Sequence, residues 1–508
     1  MRTKKAFYNI VVSITYQLVA LVCGLIVPRM LLGAFGSTYN GVINSVAQFL
    51  SMVSILRLGV AGSTRVALYK TLAENDTLGT SRLIKATNRY ARKICLAIVF
   101  LSVLLAVFYP MISNNDLERH QTTLLIFIVS ITTFAEYFFG FTYSTLLQAD
   151  QSEYVYSLLH IVTTILNAIL VIILIRLNCN VFTVKFGSAI AYSLLPVALS
   201  IYCTKKYHIT SDCEPDDSAL KKRGDVMFHS IANIVHGNTD IVLLTLFLDA
   251  KQISVYTVYY LVIGKIRSLT QVFTSGLEAA FGNMWAKNET AALKRNFRLY
   301  EFSMFSFVSV IFSCVGLLIV PFIQLYTIHV TDTNYLLADF AILVTITEGL
   351  FCLRAPYVTL VQATNHYKET KTGAAVEAIA NFSVSLLLVG PLGLNGVIIG
   401  TFTANLIRTS QYAWFASAHI LNRPIGCVVK RLACMLCCVC ANLGVGCALM
   451  RGLSVGVGWG GWVVDGFAVF TASVLITGLF SLLFYRDDLL GMLGVAKRMI
   501  RRKAKDEI

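Results

Sequence analysis

Apolar residues in this chain arrive in long blocks separated by short polar turns. The blocks lie near 8–32, 41–63, 94–112, 122–147, 154–176, 181–203, 227–248, 253–280, 302–326, 337–362, 373–390, 394–418, 427–450 and 463–485. A helix needs about 20 apolar residues to cross the hydrocarbon core of a bilayer. The pattern therefore predicts an all-α integral membrane protein with about fourteen transmembrane helices. The stretch Pro391–Gly396 is a very short turn between two of them. The first block follows Met1-Arg2-Thr3-Lys4-Lys5, as the core of a signal peptide does, but it runs to about Leu32 with no small-residue cleavage site. It reads as the first span.

Basic residues set the orientation. With the N-terminus inside, most Lys and Arg fall on inner loops, around Arg2–Lys5, Arg65–Lys93, Lys205–Arg223, Lys287–Arg298, Lys368–Lys371, Arg423–Arg431 and Arg486–Lys505. Only Arg29, Arg119, Arg176, Lys251 and Arg451 fall outside. The positive-inside rule then places both termini in the cytoplasm of a bacterial cytoplasmic (inner) membrane, crossed many times. The outer loops are short and leave no room for an external catalytic domain.

Composition agrees. Of the 508 residues, 56% are hydrophobic and 14% charged, where a soluble domain carries about 25% charge. The net charge of +15 sits at block edges rather than in a patch, so it points to membrane topology and not to nucleic acid. The thirteen cysteines lie mostly inside apolar blocks, as small packing residues do. Neither a Walker A sequence nor an HExxH occurs. The expectation is a transporter, not an enzyme, with no cofactor and no metal site.

The sequence repeats. Thr145-Leu146-Leu147-Gln148-Ala149 returns as Thr359-Leu360-Val361-Gln362-Ala363, an offset of 214. At that offset Tyr143 meets Tyr357 and Asn167 meets Asn381, while Gly187-Ser188 and Ala191 return one residue earlier as Gly400-Thr401 and Ala404. A six-helix unit returns the chain to the side it started from, so the two copies are expected to be parallel. The expected plan is an N-terminal six-helix bundle over 1–203, a cytoplasmic linker over 204–226, and a C-terminal six-helix bundle over 227–418. Two extra transmembrane helices over 419–485 and a basic cytoplasmic tail over 486–508 complete it.

Polar residues inside the spans are costly and need a reason. His229, Asn233, His236 and Asp240 form one stripe on span seven. Asn9, Ser13, Tyr16 and Gln17 form its counterpart on span one. Tyr260, Gly264, Arg267, Gln271, Thr274 and Glu278 follow helical spacing on span eight. Such stripes suit a wet cavity between the halves. Arg57, Glu136, Glu348, Arg354 and Glu377 are further charges within spans, and Lys265 lies on a different face from Arg267. Arginine suits bidentate phosphate recognition. The substrate-binding candidates are therefore Arg57, Arg267, Arg354, Lys265, Asn9, Gln17, Asn233 and Gln271. The candidates for carrying a coupling H+ or Na+ are His229, His236, Asp240, Glu136, Glu278, Glu348 and Glu377.

Several stretches resemble the Wzx-type polysaccharide flippases of the MOP superfamily, relatives of MATE exporters and MurJ. They are Leu25-Ile26-Val27-Pro28-Arg29 with Gly36-Ser37-Thr38-Tyr39-Asn40-Gly41, Leu56-Arg57-Leu58-Gly59-Val60 running into Ala67–Asp76, and Leu147-Gln148-Ala149-Asp150-Gln151. The resemblance covers most of the chain apart from the last two spans. It implies two six-helix bundles around a cavity, alternating access, and a polyprenyl-diphosphate-linked oligosaccharide moved to the outer leaflet for surface polysaccharide or lipopolysaccharide biosynthesis. The implied partners are the lipid bilayer, that lipid-linked oligosaccharide and other membrane proteins of polysaccharide assembly. A MATE-like cation-coupled drug exporter is the alternative reading, and a membrane polymerase or ligase of the same pathway a third.

Overall fold

Blocks rich in Leu, Ile, Val and Phe cannot leave backbone N–H and C=O groups unpaired in lipid, so they fold as helices. The computed structural model describes residues 2–210, 212–217, 238–274, 277–453 and 458–494. Among these, the regular elements are helical: α1 (Arg2–Ser51), α2 (Ser54–Ala73), α3 (Thr77–Ile112), α4 (Arg119–Ala135), a π-turn (Glu136–Gly140), α5 (Phe141–Ala149), α6 (Glu153–Arg176) and α7 (Val181–Lys206). The chain continues through α8 (Asn238–Phe247), α9 (Ala250–Thr274), α10 (Leu277–Ala286), α11 (Thr290–Tyr326), α12 (Ala338–Leu353), α13 (Ala355–Ala363), α14 (Tyr367–Leu392), α15 (Leu394–Phe415), α16 (Gly426–Leu453) and α17 (Trp459–Phe484).

Ten helices among the described residues are long and apolar enough to cross a membrane. The chain is thus a multi-pass membrane protein. The other expected spans differ for identifiable reasons. α2, α9 and α15 carry Arg57, Arg65 and Lys70, then Lys251, Lys265 and Arg267, then Arg408, so their apolar character is diluted. Span seven is described only from Asn238 onward. The block at 41–63 is broken at Met52–Val53.

Lipid-facing surface is visible on α3, where Leu96, Phe100, Val103, Val107 and Met111 are exposed at helical spacing. Its other face buries Ala91, Ile94, Cys95 and Ile98 with Val53, Val60, Tyr137 and Phe141. A second apolar core gathers Phe281, Phe297, Met304, Tyr357 and Phe415. By contact density the chain forms two compact units: residues 1–257 with 329–333, and residues 258–328 with 334–508. This division rests on compactness and is of a different kind from the six-helix bundles expected from the sequence.

The backbone carries the repeat. Turns close on left-handed residues at Asn75, Gln151, Asn178 and His208, and again at Asn288, Asn365, Gly393 and Asn422. Each pair is separated by the repeat offset to within one residue. Asn and Gly are the residues that adopt this conformation at least cost. The motif residues also do the same work twice. Ser188 donates to Asn167 at 2.5 Å between α6 and α7. Asn381 donates to Thr401 at 3.1 Å between α14 and α15. Such bonds tie neighbouring helices where hydrophobic driving force is absent.

Within the first unit, α1 breaks at Gly36, whose φ is 81°. The helix restarts at Ser37, whose backbone N–H and hydroxyl donate to Asp332 at 2.7 and 2.6 Å. Asp332 therefore supplies the N-cap that the chain lacks locally. Beyond it one helical face is laced with neutral hydrogen bonds. Asn40 donates to Ser254 at 2.7 Å, Ser45 pairs with Thr245 at 2.6 Å, and Ser51 donates to Asn238 at 3.0 Å. Gly41 faces Ala250 so closely that an added Cβ would lie 1.7 Å from its carbonyl oxygen.

Candidate functional site

In the second unit, α12 ends at Leu353 because Pro356 has no N–H to continue its ladder, and Arg354 becomes the joint to α13. That joint turns the Arg354 side chain inward. Its Nη1 donates to Glu377 Oε1 at 2.6 Å, and only 11% of the side chain is exposed. The other carboxylate oxygen of Glu377 lies 3.4 Å from Arg408. Arg408 also donates to the Thr370 carbonyl, Gln411 and Tyr412. Glu377 thus sits between two buried arginines from different helices.

Six residues before the joint, Glu348 is buried on α12, its side chain 3% exposed. Its Oε2 lies 3.5 Å from Arg267 Nη1 and accepts no hydrogen bond. This is an ion pair by proximity, too long for a strong bond. The Tyr260 hydroxyl hydrogen-bonds the carboxylate from α9. Arg267 is 37% exposed. Its guanidinium stacks 3.5 Å from the centre of the Phe351 ring, and that of Arg354 lies 4.3 Å from the same ring. Three arginines face two glutamates here, leaving one positive charge in excess. Lys265 is exposed on the far face of α9.

In the first unit, Arg57 on α2 donates to Glu136 at 2.9 Å, with side chains 32% and 50% exposed. Glu136 opens the π-turn, a distortion that is frequent at functional sites. Beside it on α6, His160 packs against Tyr16 with ring centres 4.6 Å apart and against Tyr156 at 5.7 Å. Asn9 is used structurally. It donates to the Gln151 carbonyl and accepts from the Tyr154 N–H, tying α1 to the start of α6. Next to it Asp150 receives Lys5 at 2.9 Å, Tyr207 at 2.6 Å and Ser152 at 2.7 Å. Burial pushes its carboxyl up, but the hydrogen bonds from Tyr207, Lys5 and Ser152 outweigh it and hold it below its ordinary value.

The sequence candidates thus separate. Arg57 with Glu136, Arg267 with Glu348, and Arg354 with Glu377 are brought together as pairs, each joining a supposed ligand to a supposed ion carrier. Asp240 is buried and accepts from Tyr256 at 3.0 Å. Gln17 is exposed. Glu278, in α10, is exposed. Gln271 lies in α9, and His229, Asn233 and His236 lie outside the described residues.

Sequence reasoning passed over four residues. Arg408 shares Glu377. Asp332 caps the restart of α1. His160 has Tyr156 and Thr164 four residues to either side, a helical face that could have flagged it. Glu301, buried on α11, receives Tyr357 at 2.6 Å and both Arg423 and Arg431. Arg431 also reaches Asp488 at 2.9 Å, so this network anchors α16 and the segment after α17.

No protein-family model matches the chain, and no curated protein matches its sequence. Solved structures do match. The lipid II flippase MurJ, in an inward closed conformation, superposes with a TM-score of 0.69 at 15% identity, covering 94% of this chain and 99% of that one. The MATE multidrug transporter DinF-BH gives 0.56 at 14% identity, covering 82% and 97%. An inward-facing MATE-family multidrug transporter of the MOP superfamily gives 0.51 at 16%, covering 79% and 95%. The chain shares its fold with these solved proteins. These three solved structures are of transporters, not enzymes. Of these three, MurJ agrees over the largest share of the chain. At these identities the likeness concerns the fold alone, so the charged pairs must be read on their own chemistry.

Proposed function

We propose that this chain is an alternating-access transporter that moves a polyprenyl-diphosphate-linked oligosaccharide from the inner to the outer leaflet of a bacterial cytoplasmic membrane, for surface polysaccharide assembly. In this reading both termini are cytoplasmic and H+ or Na+ drives the cycle. The observation that carries it is Arg267. It is the partly exposed member of a cluster with one positive charge in excess, stacked on Phe351 and only loosely held by Glu348. A cation inside a membrane protein that is neither buried nor firmly bonded is placed for an anionic ligand. Arg354 and Arg408 act behind it, held by Glu377.

A charge-assisted contact with phosphate contributes about 1.5–3 kcal/mol. Arg267→Ala should therefore weaken binding by roughly 10- to 100-fold. In a deletion strain complemented at matched protein level, surface polysaccharide should fall and its lipid-linked precursor should accumulate on the cytoplasmic side. Normal export by Arg267→Ala would refute the assignment. The drug-exporter reading draws on the DinF-BH likeness, but an excess positive charge repels a cationic drug. Efflux of cationic dyes by the wild type, with polysaccharide unchanged, would decide for it.

A further inference from the structure

The two charged clusters differ in a way that the transport reading does not use. The cluster at Phe351 carries a surplus positive charge. The cluster of the first unit is balanced: one arginine, Arg57, and one carboxylate, Glu136, joined at 2.9 Å. A balanced pair gains little from a phosphate, whose charge Glu136 opposes as strongly as Arg57 attracts. Yet this pair is the more open of the two, with a third of the arginine and half of the carboxylate exposed. Charged groups at this depth face water or a polar ligand, not lipid.

Its surroundings are aromatic. The Arg57 guanidinium carbon lies 5.6 Å from the Phe141 ring centre. Tyr16, Tyr156 and His160 are half-buried and packed ring against ring, with the Tyr16 hydroxyl 3.4 Å from His160 Nε2 and His160 Nδ1 3.1 Å from Thr164. Glu136 is close enough to act electrostatically on both Tyr156 and His160. The π-turn at Glu136–Gly140 inserts an extra residue at this point of the chain. The result is a set of flat apolar faces beside a carboxylate and a guanidinium with spare acceptor and donor capacity.

That combination matches a pyranose ring. A sugar offers apolar C–H faces that lie on aromatic rings, and hydroxyls that both donate and accept. It carries no net charge for a balanced pair to resist. Carboxylate and guanidinium are strong partners for hydroxyls because one end of each bond is ionised. We propose that Tyr16, Arg57, Glu136, Tyr156 and His160 form a glycan subsite within the first unit, on which sugar residues of the lipid-linked substrate rest during transport. The proposal rests on the transport reading and deepens it.

The test uses the purified full chain in nanodiscs and four probes: farnesyl diphosphate, and the same lipid diphosphate bearing glucose, galactose or N-acetylglucosamine. In the wild type at least one glycosylated probe should bind several-fold more tightly than the bare one. Glu136→Gln should lower that probe's affinity about tenfold or more and leave the bare diphosphate unchanged or tighter, because a negative charge is removed. Tyr156→Leu should cost the glycosylated probe about two- to tenfold, and Tyr156→Phe should restore it. Arg267→Ala should weaken all four probes. Glu136→Gln or Tyr156→Leu weakening bare and glycosylated probes alike would overturn the subsite, because a merely structural role acts that way. Equal wild-type affinity for all four probes would overturn it too, while sparing the transport reading. Failure of the wild type to bind any of the four would overturn the transport reading and the subsite with it.

Discussion

Arg354 looks like a ligand in the sequence and like a structural member in the fold, and its substitution separates the two roles. Arg354→Ala removes one of two cations bonded to Glu377 and leaves Arg408 3.4 Å away to hold the carboxylate. Breaking a buried pair by removing one partner costs about 3–5 kcal/mol. The remaining arginine should keep Arg354→Ala near the lower bound, about 3 kcal/mol. Glu377→Ala should cost more, toward the upper bound, because it strands two buried guanidinium groups. The double variant should cost less than the sum, with a coupling of about 1–3 kcal/mol expected for residues in one network. Equilibrium unfolding in mixed micelles would measure each corner of this cycle. By contrast Arg267→Ala breaks a long pair that is open on the arginine side but leaves the buried Glu348 carboxylate without its arginine, so about 1–3 kcal/mol is expected. Wild-type stability for Arg354→Ala, combined with lost transport, would refute this division of labour and return Arg354 to the substrate.

Three other perturbations probe separate parts of the chain. Gly36→Ala forces a side chain onto a backbone conformation that essentially only glycine adopts, with its Cβ 2.9 Å from the Asp332 carboxylate, and should destabilise by about 1–3 kcal/mol in the same unfolding assay. Asp150 is held below its ordinary value by Tyr207, Lys5 and Ser152 against the opposing effect of burial. Its contribution is therefore present above the unfolded carboxylate value of about 3.9 and lost as pH falls below it; thermal melts should show an acid limb that Asp150→Asn flattens. A Lys222→Cys variant in intact cells should resist an impermeant external thiol reagent, since the basic bias puts its loop inside; external labelling would reverse the orientation.

Much of this architecture is legible in the sequence because lipid imposes local rules. Block length is such a short-range signal. The duplication is visible in Asn167 and Asn381 because each bonds a residue that is itself repeated. What escapes reading depends on partners far along the chain. Nothing near Ser37 announces that Asp332 will cap it, so the apolar pattern ends α1 near Leu32 rather than continuing it across a kink. Arg57, Arg267 and Arg354 are recognisable as costly charges, but Glu136, Glu348 and Glu377 reach them from other helices, or in Glu136's case from a π-turn. The pairing, not the presence, of these charges is hidden.

The bond from Asn40 to Ser254 has an evolutionary meaning. The two residues are 214 positions apart, which is the repeat offset itself, so they occupy one position in the two copies. Before duplication and fusion, a chain half this length that paired with itself would have met its own twin there. A residue that must bond its own likeness has to donate and accept at once, a condition that Asn and Ser both satisfy. Fusion released that condition, since each copy could now change alone and be answered by the other. An Asn–Ser pair is what such a self-match would become as a hetero-pair, and descent would then show two positions that vary together while their neighbours drift apart.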